Sequence, residues 1–334
     1  MRGIILKLLA KLVLACIFLV VLGGGYYQYA THIPLQLSDD VFLVKRGETL
    51  SSLVNRLMDE GAVKEPYTLK LFARVNGLDK QIQAGEYRLT QDITIPQFLD
   101  QLTSGEGQVE IKIAIIEGWS FKQMRAALAN AEKLEKITTD WTDEEVMEKL
   151  GYPDLHPEGQ FYPDTYYYQS GDSDLSILET AFNLMQRKLD QVWESRQSGI
   201  MIETKYEALI LASIIEKETQ HRPEQGRISG VFNNRLKKGM KLQTDPTVIY
   251  GLGDSYNGNI TRKHLRTDTP YNTYTRYGLT PTPISLPGMG SLVAAVNPEK
   301  TDAYYFVAKG GGQHHFSRTL REHNNAVNKY ILNK

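Results

Sequence analysis

KYEALILASIIEKETQHRPEQGRISGVFNNRLKKGMKLQTD, residues 205–245, is the stretch on which the reading of the chain turns. Tyr206 to Gln220 has the composition and spacing of a helix. At about 3.6 residues per turn, Ile210, Leu211, Ile214 and Ile215 form one apolar stripe. Glu218 follows Ile214 by four residues and Leu211 by seven, so it projects from that stripe, and Glu216 is expected on the opposite, solvated face. A carboxyl on an apolar face is desolvated, which raises its pKa and keeps it protonated near neutral pH. That makes Glu218 a candidate general acid. The alternative is that Glu218 sits at a frayed helix end and reaches into water.

The chain has 334 residues, enough for two domains with substantial cores. A net charge of −1 gives no reason to expect nucleic acid as a partner. The single cysteine excludes an internal disulfide framework and any multi-cysteine metal site. CxxC, HExxH, P-loop and GxSxG patterns are missing, and neither metal nor cofactor is expected. The 19 tyrosines cluster, which suits stacking on sugar rings in a wet cleft.

Leu8 to Tyr27 is almost wholly apolar, and the run is as long as a bilayer core requires. Arg2 and Lys7 precede it, Lys11 can snorkel from its first turn, and no Lys or Arg follows until Lys45. That asymmetry puts the N-terminus in the cytoplasm and the bulk of the chain outside. Tyr26, Tyr27 and Tyr29 look like an interfacial anchor. A cleaved signal peptide is disfavoured because no A-x-A site follows the run, and Cys16 lies mid-run, where packing explains it better than lipidation.

The expected organisation is α+β in four parts. Residues 1–29 are a cytoplasmic tip and transmembrane anchor, 30–40 a polar tether, 41–105 a small β-α-α-β module, and 106–334 a larger mixed α+β catalytic domain. In the small module Val41 to Val44 is a strand. Leu50, Leu53, Val54 and Leu57 mark a helix, Pro66 opens a second, and Gly85 to Leu89 is the closing strand. With V-x-x-G-E-T-L at its first turn, this module resembles LysM, which implies binding to N-acetylglucosamine-containing polymers. The alternative is a small structural α+β module with no ligand.

In the larger part, Val109 to Ile115 alternates like a half-buried strand, Ser120 to Gln123 is a capping box, and Leu175 to Ser195 is a long amphipathic helix. A helix from Ile228 to Leu236 follows the organising one. Beyond Asp245 the Thr, Pro, Gly, Asn and Tyr content is expected to make short strands and ordered loops around a polar cleft. His221 reads as a solvated residue just past a helix end. His314 and His315, adjacent and so unable to share one metal from a strand, read as a turn entering Phe316. Gly310 to Gly312 reads as a loop.

Three motifs then carry a resemblance. They are A-S-I-I-E-K-E-T (Ala212 to Thr219), V-F-x-N-R-L-x-x-G-M-x-L-Q-T-D-P-T-V-I-Y-G-L-G (Val231 to Gly253) and P-Y-N-T-Y (Pro270 to Tyr274). Together with F-Y-P-D-T-Y (Phe161 to Tyr166), they make the chain similar to the YceG-like family over nearly its whole length. The resemblance implies a membrane-anchored lytic transglycosylase that cuts peptidoglycan glycan strands. It implies Glu218 as the catalytic acid, a bacterial inner-membrane location with a periplasmic catalytic domain, and peptidoglycan synthases as partners. Gln243, Thr244, Asp245, Tyr250, Asn272 and Tyr274 are the expected substrate-binding residues. Asp245 could instead cap the segment after it, and the tyrosines could be core. Two other readings stay open. One is a glycan hydrolase, for which Asp245 or Glu207 would be the second carboxylate. The other is a wall-binding scaffold without catalysis.

Overall fold

The computed structural model describes residues 2–37, 41–90 and 92–332. The end of the expected tether, residues 38–40, and the last two residues of the chain lie outside them. Two compact units emerge. One comprises Met1–Ile111 with Tyr168–Asp172, and the other Lys112–Tyr167 with Ser173–Lys334.

The first unit begins with α1 (Arg2–Thr31), of which Ile5–Thr31 is long and apolar enough to cross a membrane. Its apolar side chains are exposed, and it fits a single-pass membrane anchor. Then come β1 (Val41–Val44), α2 (Leu50–Asp59), α3 (Pro66–Val75), β2 (Gly85–Arg88) and α4 (Ile95–Ser104). β1 and β2 pair antiparallel from Val41 with Arg88 to Val44 with Gly85, so the β-α-α-β order exists as a physical unit. Leu53, Val54, Leu57, Leu69, Phe98 and Leu99 fill its core, and Phe42 packs edge-on to Phe98 at 5.3 Å. The G-E-T-L turn has a structural use. Glu48 accepts the Lys45 N–H at 2.9 Å and pairs with Arg56 of α2 at 3.1 Å, while Thr49 caps α2.

The second unit contains all but the first residue of β3 (Ile111–Ala114), α5 (Phe121–Asn130), α6 (Asp143–Lys149), all but the last residue of β4 (Thr165–Tyr168), α7 (Asp174–Glu194), α8 (Lys205–Glu218) and α9 (Arg222–Lys237). It continues through α10 (Asp245–Leu252), α11 (Arg262–Arg266), α12 (Met289–Val296), β5 (Tyr305–Gly310), β6 (Gln313–Ser317) and α13 (Leu320–Tyr330). β3 pairs with β4, and β5 with β6 as an antiparallel hairpin turning at Gly310 to Gly312.

α8 is the centre of this unit, and it departs from the striped helix expected. Every residue from Ala208 to Glu216 is buried, because α7, α9, α10 and α12 all pack against it. Ser213 fixes the packing from inside. Its hydroxyl accepts the Ile284 N–H at 2.9 Å, and its carbonyl accepts the Ser285 hydroxyl at 3.2 Å. Beyond Asp245 the β5–β6 hairpin and its flanking loops match the expected short strands and loops, but α10, α11 and α12 also stand there. Of these, α12 (MGSLVAAV) packs most extensively on α8, its small residues allowing close approach. α9 starts six residues earlier than the expected Ile228, since Pro223 is tolerated in its first turn.

Candidate active site

Glu218 is the last residue of α8. Thr219 turns to an extended conformation (φ −148°, ψ 131°), and α9 starts three residues later, so the helix ends as it leaves the packed layer. The Glu218 side chain is half-buried and opens onto a cleft of about 420 Å³. Burial pushes its pKa up. The Thr244 hydroxyl, which donates to its Oε2, and nearby His314 partly offset that rise, and Asp245 adds to it.

Thr244 is itself fixed. Its N–H donates to Thr273 Oγ1 at 3.1 Å, and its carbonyl accepts the Thr247 hydroxyl at 2.8 Å. Gln243 before it has φ +51°, a left-handed conformation that a side chain resists. Arg235 of α9 holds that turn from beneath. Its Nη1 donates to the carbonyls of Lys241 and Leu242, both at 3.0 Å, and to Gln243 Oε1 at 3.3 Å, while its Nε donates to the Tyr304 carbonyl at 2.6 Å. Asp245 occupies the first turn of α10, with Thr244 at the cap position. Its carboxylate accepts the Tyr274 phenol at 2.6 Å. Burial, then Asp245 itself, pushes the Tyr274 pKa up and keeps that phenol a donor.

The structure brings Glu218, Gln243, Thr244, Asp245 and Tyr274 together around one cleft, but not the other two expected residues. Asn272 is 1 % exposed. Its Nδ2 donates to the carbonyls of His264, Leu265 and Thr267, and its Oδ1 accepts the Tyr274 N–H at 2.9 Å. It braces the loop that aims Tyr274. Tyr250 lies outside the cleft lining and donates to buried Glu158 at 3.2 Å.

Glu216 also departs from expectation. It is 6 % exposed and accepts the N–H of Gly288, the residue at the start of α12, at 3.0 Å. A second layer covers the face that angular spacing alone assigned to solvent, and burial raises its pKa. Glu207, the other carboxylate considered, closes the capping box of α8 at the opposite end. Eleven residues of helix put it about 16 Å from Glu218 along the axis.

Two histidines complete the cleft wall. His314 lies in β6, not in a turn, and Glu224 holds it twice. Its backbone N–H donates to Oε2 at 3.0 Å, and its Nδ1 lies 3.0 Å from the same oxygen. That contact fixes the orientation of the imidazole against the cleft. His323 of α13 stacks on Tyr305 at 5.3 Å. Arg235 falls within a motif already singled out. The histidines carried no local signal, because His314 lies 96 positions beyond Glu218 in the chain. His221 stands at the cap position of α9, away from this cleft.

A desolvated carboxylic acid, set among phenols, an amide and imidazoles, can donate one proton and take one back, which is the arrangement of a general acid–base site. The chain belongs to the YceG-like family, whose model matches residues 42–329. A Bacillus subtilis protein named endolytic murein transglycosylase is 33 % identical over 307 residues, 87 % of this chain and 84 % of that one. A Streptococcus pneumoniae protein of the same name is 24 % identical over 95 % of this chain and 64 % of its own length. The crystal structure of a YceG-like protein from Listeria monocytogenes superposes with a TM-score of 0.54 at 28 % identity, covering 85 % of this chain and 97 % of that one.

Proposed function

We propose that this chain is an endolytic murein transglycosylase in which Glu218 serves as both acid and base. Protonated Glu218 gives its proton to the glycosidic oxygen between N-acetylmuramic acid and N-acetylglucosamine. The muramic 2-acetamido group stabilises the oxocarbenium-like centre. Glu218, now a carboxylate, takes the proton of the muramic 6-hydroxyl, and that oxygen closes onto C1. The products are a free N-acetylglucosamine 4-hydroxyl and a 1,6-anhydro-muramic end, with no water consumed. The observation that carries this reading is the desolvated acid of Glu218 on a cleft whose other lining carboxylate, Asp245, is engaged by Tyr274.

Around that chemistry, Gln243, Thr244, Asp245 and Tyr274 bind the sugar, with His314 as an added polar contact. α1 anchors the chain in the bacterial cytoplasmic membrane, with its N-terminus in the cytoplasm and the second unit outside. Its partners there are peptidoglycan synthases, and cutting limits strand length. The LysM-like module contributes a second hold on glycan.

The test is mass spectrometry of products from purified glycan strands treated with residues 30–334 and with the Glu218→Gln variant. Anhydro-muramic ends are expected, falling about 10²- to 10⁴-fold in the variant. Reducing ends carrying one solvent oxygen would make the protein a hydrolase and turn attention to Asp245. Binding without cleavage by either protein would leave a scaffold.

A further inference from the structure

An amphipathic surface helix buries its apolar face and shows polar residues to water. α3 breaks that pattern. Leu69 and Ala73 are buried in the first unit's core, as expected. The opposite face presents Tyr67, Leu71 and Val75, which are 84 %, 51 % and 70 % exposed. Their spacing of four residues sweeps about 80° of the helix, so they form one stripe. Isolated exposed apolar residues are ordinary, but a continuous stripe marks a covered surface.

What covers it follows from the neighbouring element. α3 packs beside the C-terminal part of α1, and Phe72 stacks on Tyr27 at 6.4 Å. From Ile5 to Tyr27 a helix rises about 33 Å, against a hydrocarbon core of about 30 Å. Tyr27 therefore lies where the hydrocarbon gives way to headgroups, among Tyr26 and Tyr29, both exposed. Phe72 holds α3 at that depth. Arg74 borders the stripe on its other side, beside Lys70, whose Nζ donates to Asn55 Oδ1 at 3.0 Å, and exposed Lys64 precedes the helix, as the basic rim of an interfacial helix does.

We propose that α3 is an interfacial helix whose Tyr67–Leu71–Val75 stripe lies in the lipid leaflet at the C-terminal end of α1, with Lys64 and Arg74 against lipid phosphates. The proposal rests on α1 spanning the bilayer. The first unit is then seated on the membrane by two elements rather than hung from one.

The test uses the full chain in vesicles of phosphatidylethanolamine and phosphatidylglycerol. An environment-sensitive fluorophore is placed on native Cys16. In a Cys16→Ser background it is placed singly at Tyr67→Cys, Leu71→Cys and Val75→Cys. Blue-shifted emission, quenching by shallow nitroxide lipids and protection from aqueous iodide are expected at all three α3 positions. Adding Leu71→Glu and Val75→Glu to the Tyr67→Cys protein should restore iodide quenching there, and the Cys16 probe should not respond to the same pair. These side chains are exposed, so the fold should survive, and circular dichroism checks it. Iodide quenching at all three α3 positions, with Cys16 still quenched by deep nitroxide lipids, overturns the proposal while leaving the span intact. Iodide access at Cys16 overturns the span and the proposal with it. Protection from both quenchers, with energy transfer between labelled chains, would mean that a second copy covers the stripe and would also overturn it.

Discussion

At Glu218, burial drives the pKa up and the Thr244 hydroxyl pulls it back, because that hydroxyl hydrogen-bonds to the ionised form. In the proposed mechanism protonated Glu218 is the reactive species in the first step, so activity should fall as pH rises through its pKa. Thr244→Val removes the offset and leaves burial unopposed by it. The alkaline limb of kcat/KM should therefore move to higher pH, and a limb that stays put or moves to lower pH would remove Glu218 from the acid role. The placement of Glu218 on a cleft was legible from helical spacing and from its motif. Glu216 was misplaced because spacing gives an angle around the helix and not what packs there. His314 was invisible for another reason: its partner Glu224 is 90 residues away, and only the β5–β6 hairpin brings it to the cleft.

At the scale of elements, two sites show how packing constrains the catalytic unit. Glu158 sits at the N-terminus of α5, where it accepts the Phe121 N–H at 3.0 Å, and burial raises its pKa to about 7. A carboxyl raised in the folded state stabilises it fully below the unfolded value, near 4.5, and that contribution is lost as pH rises through 7. The shift corresponds to about 3 kcal/mol. Glu158→Gln keeps an acceptor for Phe121 and should flatten the decline of stability between pH 4.5 and 7, read as denaturant unfolding of both proteins across that range. Gly230 of α9 is the second site. A Cβ there would lie 2.3 Å from the Glu299 carbonyl and 2.9 Å from the Thr301 methyl. Asn234, one turn on, donates to the Thr301 and Ala303 carbonyls, so the segment cannot retreat freely. Gly230→Ala should cost about 1–3 kcal/mol, measured as a lowered unfolding midpoint. It should also reduce cleavage, because β5 follows directly and carries Tyr305 and Phe306 of the cleft wall. Helices α2, α3, α5 and α7 were legible from periodicity and caps. α12 was not, since a glycine, a serine, two alanines and two valines read as loop or strand until α8 is present to pack against.

At the scale of the whole molecule, every residue lining the Glu218 cleft belongs to the second unit, while the membrane helix belongs to the first. Chemistry and placement are thus carried by different parts of one chain. Composition hinted at this division, because the apolar N-terminal run and the more polar remainder of the chain require different surroundings. The boundary itself was not readable, since Tyr168–Asp172 returns to the first unit from within the second, a long-range contact that no local pattern announces. Removing α1 should leave the cleavage reaction unchanged, because no cleft residue is lost. Residues 30–334 and the full chain should therefore yield the same anhydro-muramic ends from detached glycan strands at similar kcat/KM. On strands still growing from a membrane the two should differ. An anchored enzyme holds its cleft within a bounded reach of the bilayer and so samples only the membrane-proximal part of each strand. Freed of that bound, the enzyme cuts wherever a strand is accessible. Strands made in vesicles with the full chain should end in a narrow length distribution, and those made with residues 30–334 in a broad one. Chromatographic sizing of the released glycans reads the difference. Because residues 30–334 keep α3, the same sizing is made with Leu71→Glu and Val75→Glu added to them, and equal distributions for that protein and the full chain would mean that glycan length is set by the cleft alone.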